Sequence, residues 1–189
     1  MKLVIGLVGE KGSGKETFGN ILQGLIPNTA IQRVHFSDIL VETLDLWSFP
    51  KTRENLQTLA RYMEDGFGRG TITNAVKGRV INSTADIVII DGVRWEPDLE
   101  LVRSFPKNVL VYVTADVETR YKRTKLRKEK AYEDATSREQ FLKEEAAKNE
   151  TLIPGIGADA DFKVNNNGDL EQLKEQVEKF NKDYLSDFT

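Results

Sequence analysis

The chain predicts an α/β fold of three layers, a five-stranded parallel sheet between two sets of helices. Two observations lead there. Short apolar runs alternate with amphipathic helical segments along all 189 residues. Several of those runs are apolar without alternation, as strands covered on both faces require. Strands that alternate with helices also imply parallel pairing through right-handed crossovers.

In chain order, strand candidates occupy residues 2–8, 30–36, 86–90, 108–114 and 161–164. Ile87-Val88-Ile89-Ile90 and Val109-Leu110-Val111-Tyr112-Val113 are the runs without alternation. After the first strand, Phe18, Ile21, Leu22 and Leu25 share one helical stripe. Leu56, Leu59, Ala60 and Met63 form another, and Leu170, Leu173, Val177 and Phe180 mark the last helix. Pro97 suits the first turn of a helix, and Ser137-Arg138-Glu139-Gln140 reads as a capping box. Two regions break the rhythm. Residues 37–85 hold two or three helices in place of one crossover, and residues 120–137 are cationic with few apolar positions. Both are expected above the sheet, on the edge where parallel sheets put ligands. No linker divides the chain, so it reads as one domain, residues 1–189.

Composition excludes several classes. Lys and Arg total 27 against 30 Asp and Glu, a balance of -3, which argues against a protein that coats nucleic acid. There is no cysteine, hence no disulfide, thiolate nucleophile or Cys-ligated metal. The single histidine, His35, excludes a histidine cluster and is read as structural. No apolar stretch approaches the roughly 18 residues of a membrane span, and the N-terminus runs straight into a strand. The expectation is a cytoplasmic protein, soluble and without a leader.

The chemistry begins at Gly9-Glu10-Lys11-Gly12-Ser13-Gly14-Lys15-Glu16-Thr17, directly after the first strand. G-x-x-x-x-G-K between a strand and a helix is the frame of a phosphate-binding loop. Glycines let successive N–H groups converge on one anion, Lys15 supplies a point charge, and the helix adds its positive dipole end. Gly9, Gly12, Ser13, Gly14, Lys15, Glu16 and Thr17 are therefore the expected nucleotide-binding set. The hydroxyl that usually follows the lysine is missing: Glu16 stands there and Thr17 comes next. Either magnesium binding is weakened or the Thr17 hydroxyl takes it over. A second motif, Ile89-Ile90-Asp91-Gly92-Val93-Arg94, puts a carboxylate at a strand tip, where such an enzyme orients Mg2+. The plainer alternative is a strand-ending Asp-Gly turn. In the third, residues 120–130, seven of eleven residues are cationic. At ~100° per residue Arg120, Arg123 and Arg127 fall within roughly a 60° arc, where they repel one another unless an anion lies among them. A solvated helix face is the bland reading.

The spacing G-K-x-T resembles adenylate kinase and its relatives, a P-loop NTPase fold. G-S-G-K-E-T and D-G-V-R look closest to deoxynucleoside monophosphate kinases and dephospho-CoA-kinase-like proteins. The resemblance covers nearly the whole chain in element order, and its specific motifs are these two. It implies transfer of the ATP γ-phosphoryl, with Mg2+, to a small nucleotide-like acceptor, a (deoxy)nucleoside monophosphate or else dephospho-CoA. It assigns the 37–85 insert to the acceptor and 120–137 to a lid carrying the arginines Arg120 and Arg123, one of which could stack on adenine. It gives Arg94 the acceptor's phosphate, and points to Arg53 and Arg69, with Arg61 weaker, as acceptor contacts. It likens Asn166 and its neighbours to the loop that touches adenine, though Asn and Asp also suit a plain turn. Asp38 is implied as a base for a hydroxyl acceptor, with a helix cap as the equal alternative. A non-kinase ATP-hydrolysing switch is the competing class; no N-K-x-D motif suggests guanine. The chain is expected as a monomer or homodimer. On this reading Arg123→Ala lowers the maximal rate more than ATP binding.

Overall fold

The computed structural model describes residues 2–127, 137–146 and 148–188. β1 (Leu3–Val8) ends in the loop that opens α1 (Lys15–Leu25). β2 (Ile31–His35) runs directly into α2 (Phe36–Leu46), and α3 (Arg53–Phe67) and α4 (Thr71–Asn82) follow. β3 (Ile87–Val93), α5 (Glu96–Arg103), β4 (Asn108–Thr114) and α6 (Val117–Arg127) come next. Then α7 (Arg138–Glu145), α8 (Lys148–Thr151) and α9 (Ile153–Ala158) precede β5 (Phe162–Asn165). α10 (Leu170–Tyr184) and a 3-10 turn, Ser186–Phe188, close the described chain.

All five strands are parallel, in the order β2-β3-β1-β4-β5. The three-layer α/β architecture expected from the sequence is the one observed. β1 sits at the centre, and the chain leaves it to one side while β3 crosses over to the other. The ligand crevice of such a sheet lies where those connections diverge, at the C-terminal ends of β1 and β3. β3 is longer than its apolar run predicts. Leu7 pairs with Asp91 and Val8 with Val93, so Gly92 is skipped, a bulge that its φ of 90° accommodates. Pairing therefore continues past Asp91 and holds that residue rigidly at the sheet edge.

Alternate residues of the strands feed opposite cores. Leu3, Ile5 and Leu7 face α1 and α10, meeting Phe18, Leu22 and Phe180. Val4 and Val8 face the other layer, with Val80 of α4, Val102 of α5 and Ile153 of α9. Phe180 anchors the first core: its ring centroid lies 5.4 Å from Phe18, 5.3 Å from Phe162 and 5.2 Å from Tyr184. Lys2 closes the C-terminal end of α4, its Nζ donating to the carbonyls of Val80 and Ser83, both at 2.6 Å. Ser137 caps α7 by accepting from the Gln140 N–H at 3.1 Å, while the Gln140 side chain turns to Glu144 instead of completing the box.

The 37–85 excursion holds three helices. Of the expected lid, residues 128–136 and the side chain of Arg127 lie outside the described residues. No helix among the described residues is long and apolar enough to cross a membrane. Phe180→Ala should cost about 3–5 kcal/mol in urea unfolding, as for a fully buried aromatic. Leu126→Ala, at an 81% exposed position, should stay within about 0.5 kcal/mol.

Candidate active site

The loop after β1 is held from three directions, and glycine is required wherever a neighbour comes close. A Cβ at Gly14, whose φ is 102°, would lie 2.2 Å from Asn166 Nδ2; one at Gly12, φ 78°, would lie 2.7 Å from the Arg120 carbonyl. Asn166 is 4% exposed, and its Nδ2 donates to the Ser13 carbonyl at 2.8 Å, so the loop between β5 and α10 is bonded to the loop after β1. Lys15 Nζ donates to the carbonyls of Gly9 (2.6 Å) and Glu10 (3.1 Å). Burial lowers the Lys15 pKa, with Arg94 acting in the same direction, against the fields of Asp91, Glu10 and Glu150. These groups therefore act together on one largely desolvated ammonium.

Asp91 is buried beside it, its Oδ2 3.9 Å from both Arg33 Nη2 and His35 Nδ1. Thr17 is exposed and opens on a cleft of about 620 Å³ together with Gly12, Gly14, Glu16 and Asn20. Across that cleft stand Arg123, Leu126, Asn166 and Leu170. Its volume suits a nucleoside-sized ligand. Thr17 and Asp91 are the two residues expected to meet Mg2+, and Asp91 is not among those lining the cleft. Their chemistry still fits a small hard cation. Carboxylate and hydroxyl oxygens are its preferred donors, and it takes further ligands from water and phosphate. Among the described residues no group of three or more His, Cys, Asp or Glu could hold a metal by itself.

The arginines are arranged otherwise than a stripe around an anion. Arg120 is 6% exposed: its Nε donates to the Ala115 carbonyl (2.9 Å), its Nη1 to the Lys11 carbonyl (3.3 Å), and its Nη2 pairs with Glu145 (2.5 Å). Arg123 donates to the carbonyls of Asn166 (2.6 Å) and Gly168 (3.0 Å). Both guanidiniums thus bind protein oxygens, Arg120 reaching the loop after β1 and Arg123 the loop between β5 and α10. Arg94 pairs with Glu150 at 2.7 Å. Asp38 Oδ2 accepts from the His35 N–H at 2.7 Å, which engages it as a cap of α2.

Of the insert arginines, Arg53 lies close enough to Glu144 for its field to act there. Burial pushes the Glu144 carboxyl up, but hydrogen bonds from Gln140 and Lys11 and the Arg53 charge leave it below the usual range. Arg69 lines a separate groove of about 320 Å³ with Lys77 and Glu100, between α4 and α5. That groove shares no lining residue with the larger cleft. Arg61 lies on the Tyr62 ring, 5.3 Å from its centroid.

Sequence reasoning missed the acidic partners. Glu144 holds Lys11 at 3.2 Å, and with Glu145 and Glu150 it sets three carboxylates of α7 and α8 against cations of the site. It also missed Glu10, 7% exposed, which accepts from Tyr112 Oη at 2.5 Å. Burial, the hydrogen bond to Glu10 and that carboxylate's charge push the Tyr112 hydroxyl up to about 12. Arg33 went unremarked as well, although a cation two residues before the tip of a strand was a usable signal.

No protein-family model matches the chain. A UPF0200 protein of Methanoregula boonei is 30% identical to it over 178 residues, covering 92% of this chain and 93% of the relative. The chain belongs to the UPF0200 family. A UPF0200 protein of Hyperthermus butylicus is 25% identical over 178 residues, 94% of this chain and 92% of its own. Among solved structures, this UPF0200 chain resembles shikimate kinase from Bacteroides thetaiotaomicron (TM-score 0.61, 12% identity, 95% of this chain and 97% of that one). It also resembles shikimate kinase from Acinetobacter baumannii in complex with shikimate (TM-score 0.58, 17% identity, 99% and 95%). At these identities the likeness is one of fold, that of P-loop kinases.

Asp98, buried in the first turn of α5, accepts from the N–H groups of Arg94 and Trp95, each at 3.1 Å. Burial pushes its carboxyl from 3.8 up to about 6, against those hydrogen bonds and the Arg94 charge. The folded state binds this proton more tightly than the unfolded chain, so its contribution to stability is complete below pH 3.8 and is lost as pH rises through about 6. Asp98→Asn should remove that component. Urea midpoints of wild type should fall relative to the variant between pH 4 and pH 6.5, the window set by those two values.

Proposed function

We propose that the chain is an ATP-dependent phosphotransferase that moves the γ-phosphoryl group to a nucleotide-like acceptor, a (deoxy)nucleoside monophosphate. The observation that carries this reading is Lys15. Its ammonium donates to the carbonyls of Gly9 and Glu10 within the loop, in the fields of Asp91 and Arg94, while Gly12, Gly14 and Glu16 of the same stretch line an open cleft. Such a site has two approaches, one for a donor nucleotide and one for an acceptor, that meet at the lysine.

In this reading the N–H groups of the loop and Lys15 hold the donor's phosphates, and the base lies between Leu126 and Leu170, over Arg123. Mg2+, held by Thr17 and Asp91, would offset charge on the phosphate oxygens. Arg94 exchanges Glu150 for the acceptor's phosphate, with Arg53 approaching from α3. An in-line transfer asks the chain mainly for positioning and for cations where negative charge spreads. The likeness to P-loop kinase folds supports a kinase-like activity and leaves the acceptor to this argument.

A second reading is favoured by one feature: Arg94 already has an acidic partner, Glu150. A neutralised arginine suits a hydroxyl acceptor, as in the dephospho-CoA-kinase-like alternative. There Asp38 would have to leave its cap to act as base. Nucleoside monophosphates, deoxynucleoside monophosphates and dephospho-CoA, assayed with ATP and Mg2+, separate the readings. Acceptor-stimulated ADP release is expected. Slow hydrolysis indifferent to every acceptor would sink both in favour of an ATP-hydrolysing switch.

Lys15→Ala should lower turnover about 100-fold or more while the circular dichroism spectrum is unchanged, since the charge serves the ligand. Arg123→Ala should raise the KM for ATP about tenfold and leave kcat nearly unchanged, because its guanidinium supports the Asn166–Gly168 loop. That replaces the rate effect expected from sequence.

A further inference from the structure

Arg33 stands on β2 two residues before its end, and its guanidinium is turned beneath the first turns of α1. Nη2 donates to the carbonyls of Lys15 and Glu16, both at 3.2 Å, and Nη1 to Asn20 Oδ1 at 3.2 Å. The same Nη2 lies 3.9 Å from Asp91 Oδ2. One planar group therefore spans the two halves of the phosphate site, the helix that begins at Lys15 and the strand tip that carries Asp91.

The space for it is made deliberately by α1. A Cβ at Gly19 would lie 2.3 Å from Nη2 and 2.7 Å from Cζ. The arrangement is also expensive: Arg33 Nε is buried with no hydrogen-bond partner among the described residues. A group that served only to fill space under a helix would be replaced at lower cost by an apolar side chain. What an apolar side chain lacks is a positive field at Asp91. At 3.9 Å neither Arg33 nor His35 hydrogen-bonds Oδ2. The Arg33 charge orients the carboxylate without occupying it.

We propose that Arg33 is a positioning residue that fixes the Asp91 carboxylate relative to the first turn of α1, and so sets the place where a divalent cation meets the donor's phosphates. The proposal rests on the kinase reading above. Lysine cannot replace it, since a single ammonium lacks the second nitrogen that holds Asn20 Oδ1 while Nη2 keeps the two carbonyls and faces Asp91.

The test measures binding of the β,γ-imido analogue of ATP by calorimetry, with Mg2+ and with EDTA, for wild type, Arg33→Ala, Arg33→Lys and Gly19→Ala. The wild type should bind in both media and more tightly with Mg2+. In Arg33→Ala and Arg33→Lys the metal-free affinity should hold while the gain from Mg2+ falls roughly 10-fold, as for removal of a group that orients a metal ligand. Gly19→Ala keeps the arginine but displaces its guanidinium, and should give the same split. It decides the matter on its own if Arg33→Ala fails to fold. An undiminished gain from Mg2+, or an equal loss in both media, would overturn the proposal and leave Arg33 a structural residue. A wild type that does not bind the analogue in either medium would overturn the kinase reading itself.

Discussion

A loop that binds phosphate through its backbone must be held from outside, because the N–H groups that would hold it are the ones turned toward the ligand. In this chain the support comes from elements far apart in sequence. β4 closes on Gly9, where a Cβ would lie 2.2 Å from the Val113 carbonyl. Asn166 bonds the Ser13 carbonyl, Arg120 reaches the Lys11 carbonyl, and Arg33 takes the carbonyls of Lys15 and Glu16. Side-chain donors thus satisfy carbonyls of the loop, and within it the Ser13 N–H donates to the Glu10 carbonyl at 3.2 Å. The parallel sheet makes this possible by bringing the ends of β1, β3, β4 and β5 to one edge.

Charge follows from the same constraint. Cations gathered around a phosphate site repel one another and lose hydration, so a folded chain needs counter-charges within reach. The three glutamates of α7 and α8 answer that need for Lys11, Arg120 and Arg94. Asp91 faces Arg33 in the same way. Lys15 differs: it rests on neutral carbonyls, with carboxylates acting on it through their fields alone. It is the cation whose contacts a phosphate replaces most cheaply, which is why it carries the functional reading.

The loop after β1 and the strands were legible because their signals are contiguous. Nine adjacent residues spell the phosphate loop, and unbroken β-branched runs spell strands buried on two faces. The arginine stripe was legible as a stripe, but the carbonyls and carboxylate that its guanidiniums bind were not. Helical periodicity gives the direction of Arg120 and Arg123 around their own axis, but what lies in that direction depends on where α6 rests. It rests between the loop after β1 and the loop after β5, so Arg120 meets the Lys11 carbonyl and Arg123 those of Asn166 and Gly168. Lys11 and Glu144 are 133 residues apart, and no local pattern links them. Asp38 was ambiguous in sequence, and the turn from β2 straight into α2 engages it as a cap.

By itself, then, the sequence determined the architecture and the phosphate loop, since both arise from local backbone preference and from hydrophobic periodicity. Tertiary structure alone decided which cations remain available to a ligand. That outcome depends on distances between carboxylates and guanidiniums brought together by helix packing, and a charge acts over a few ångströms of space with no regard for separation along the chain.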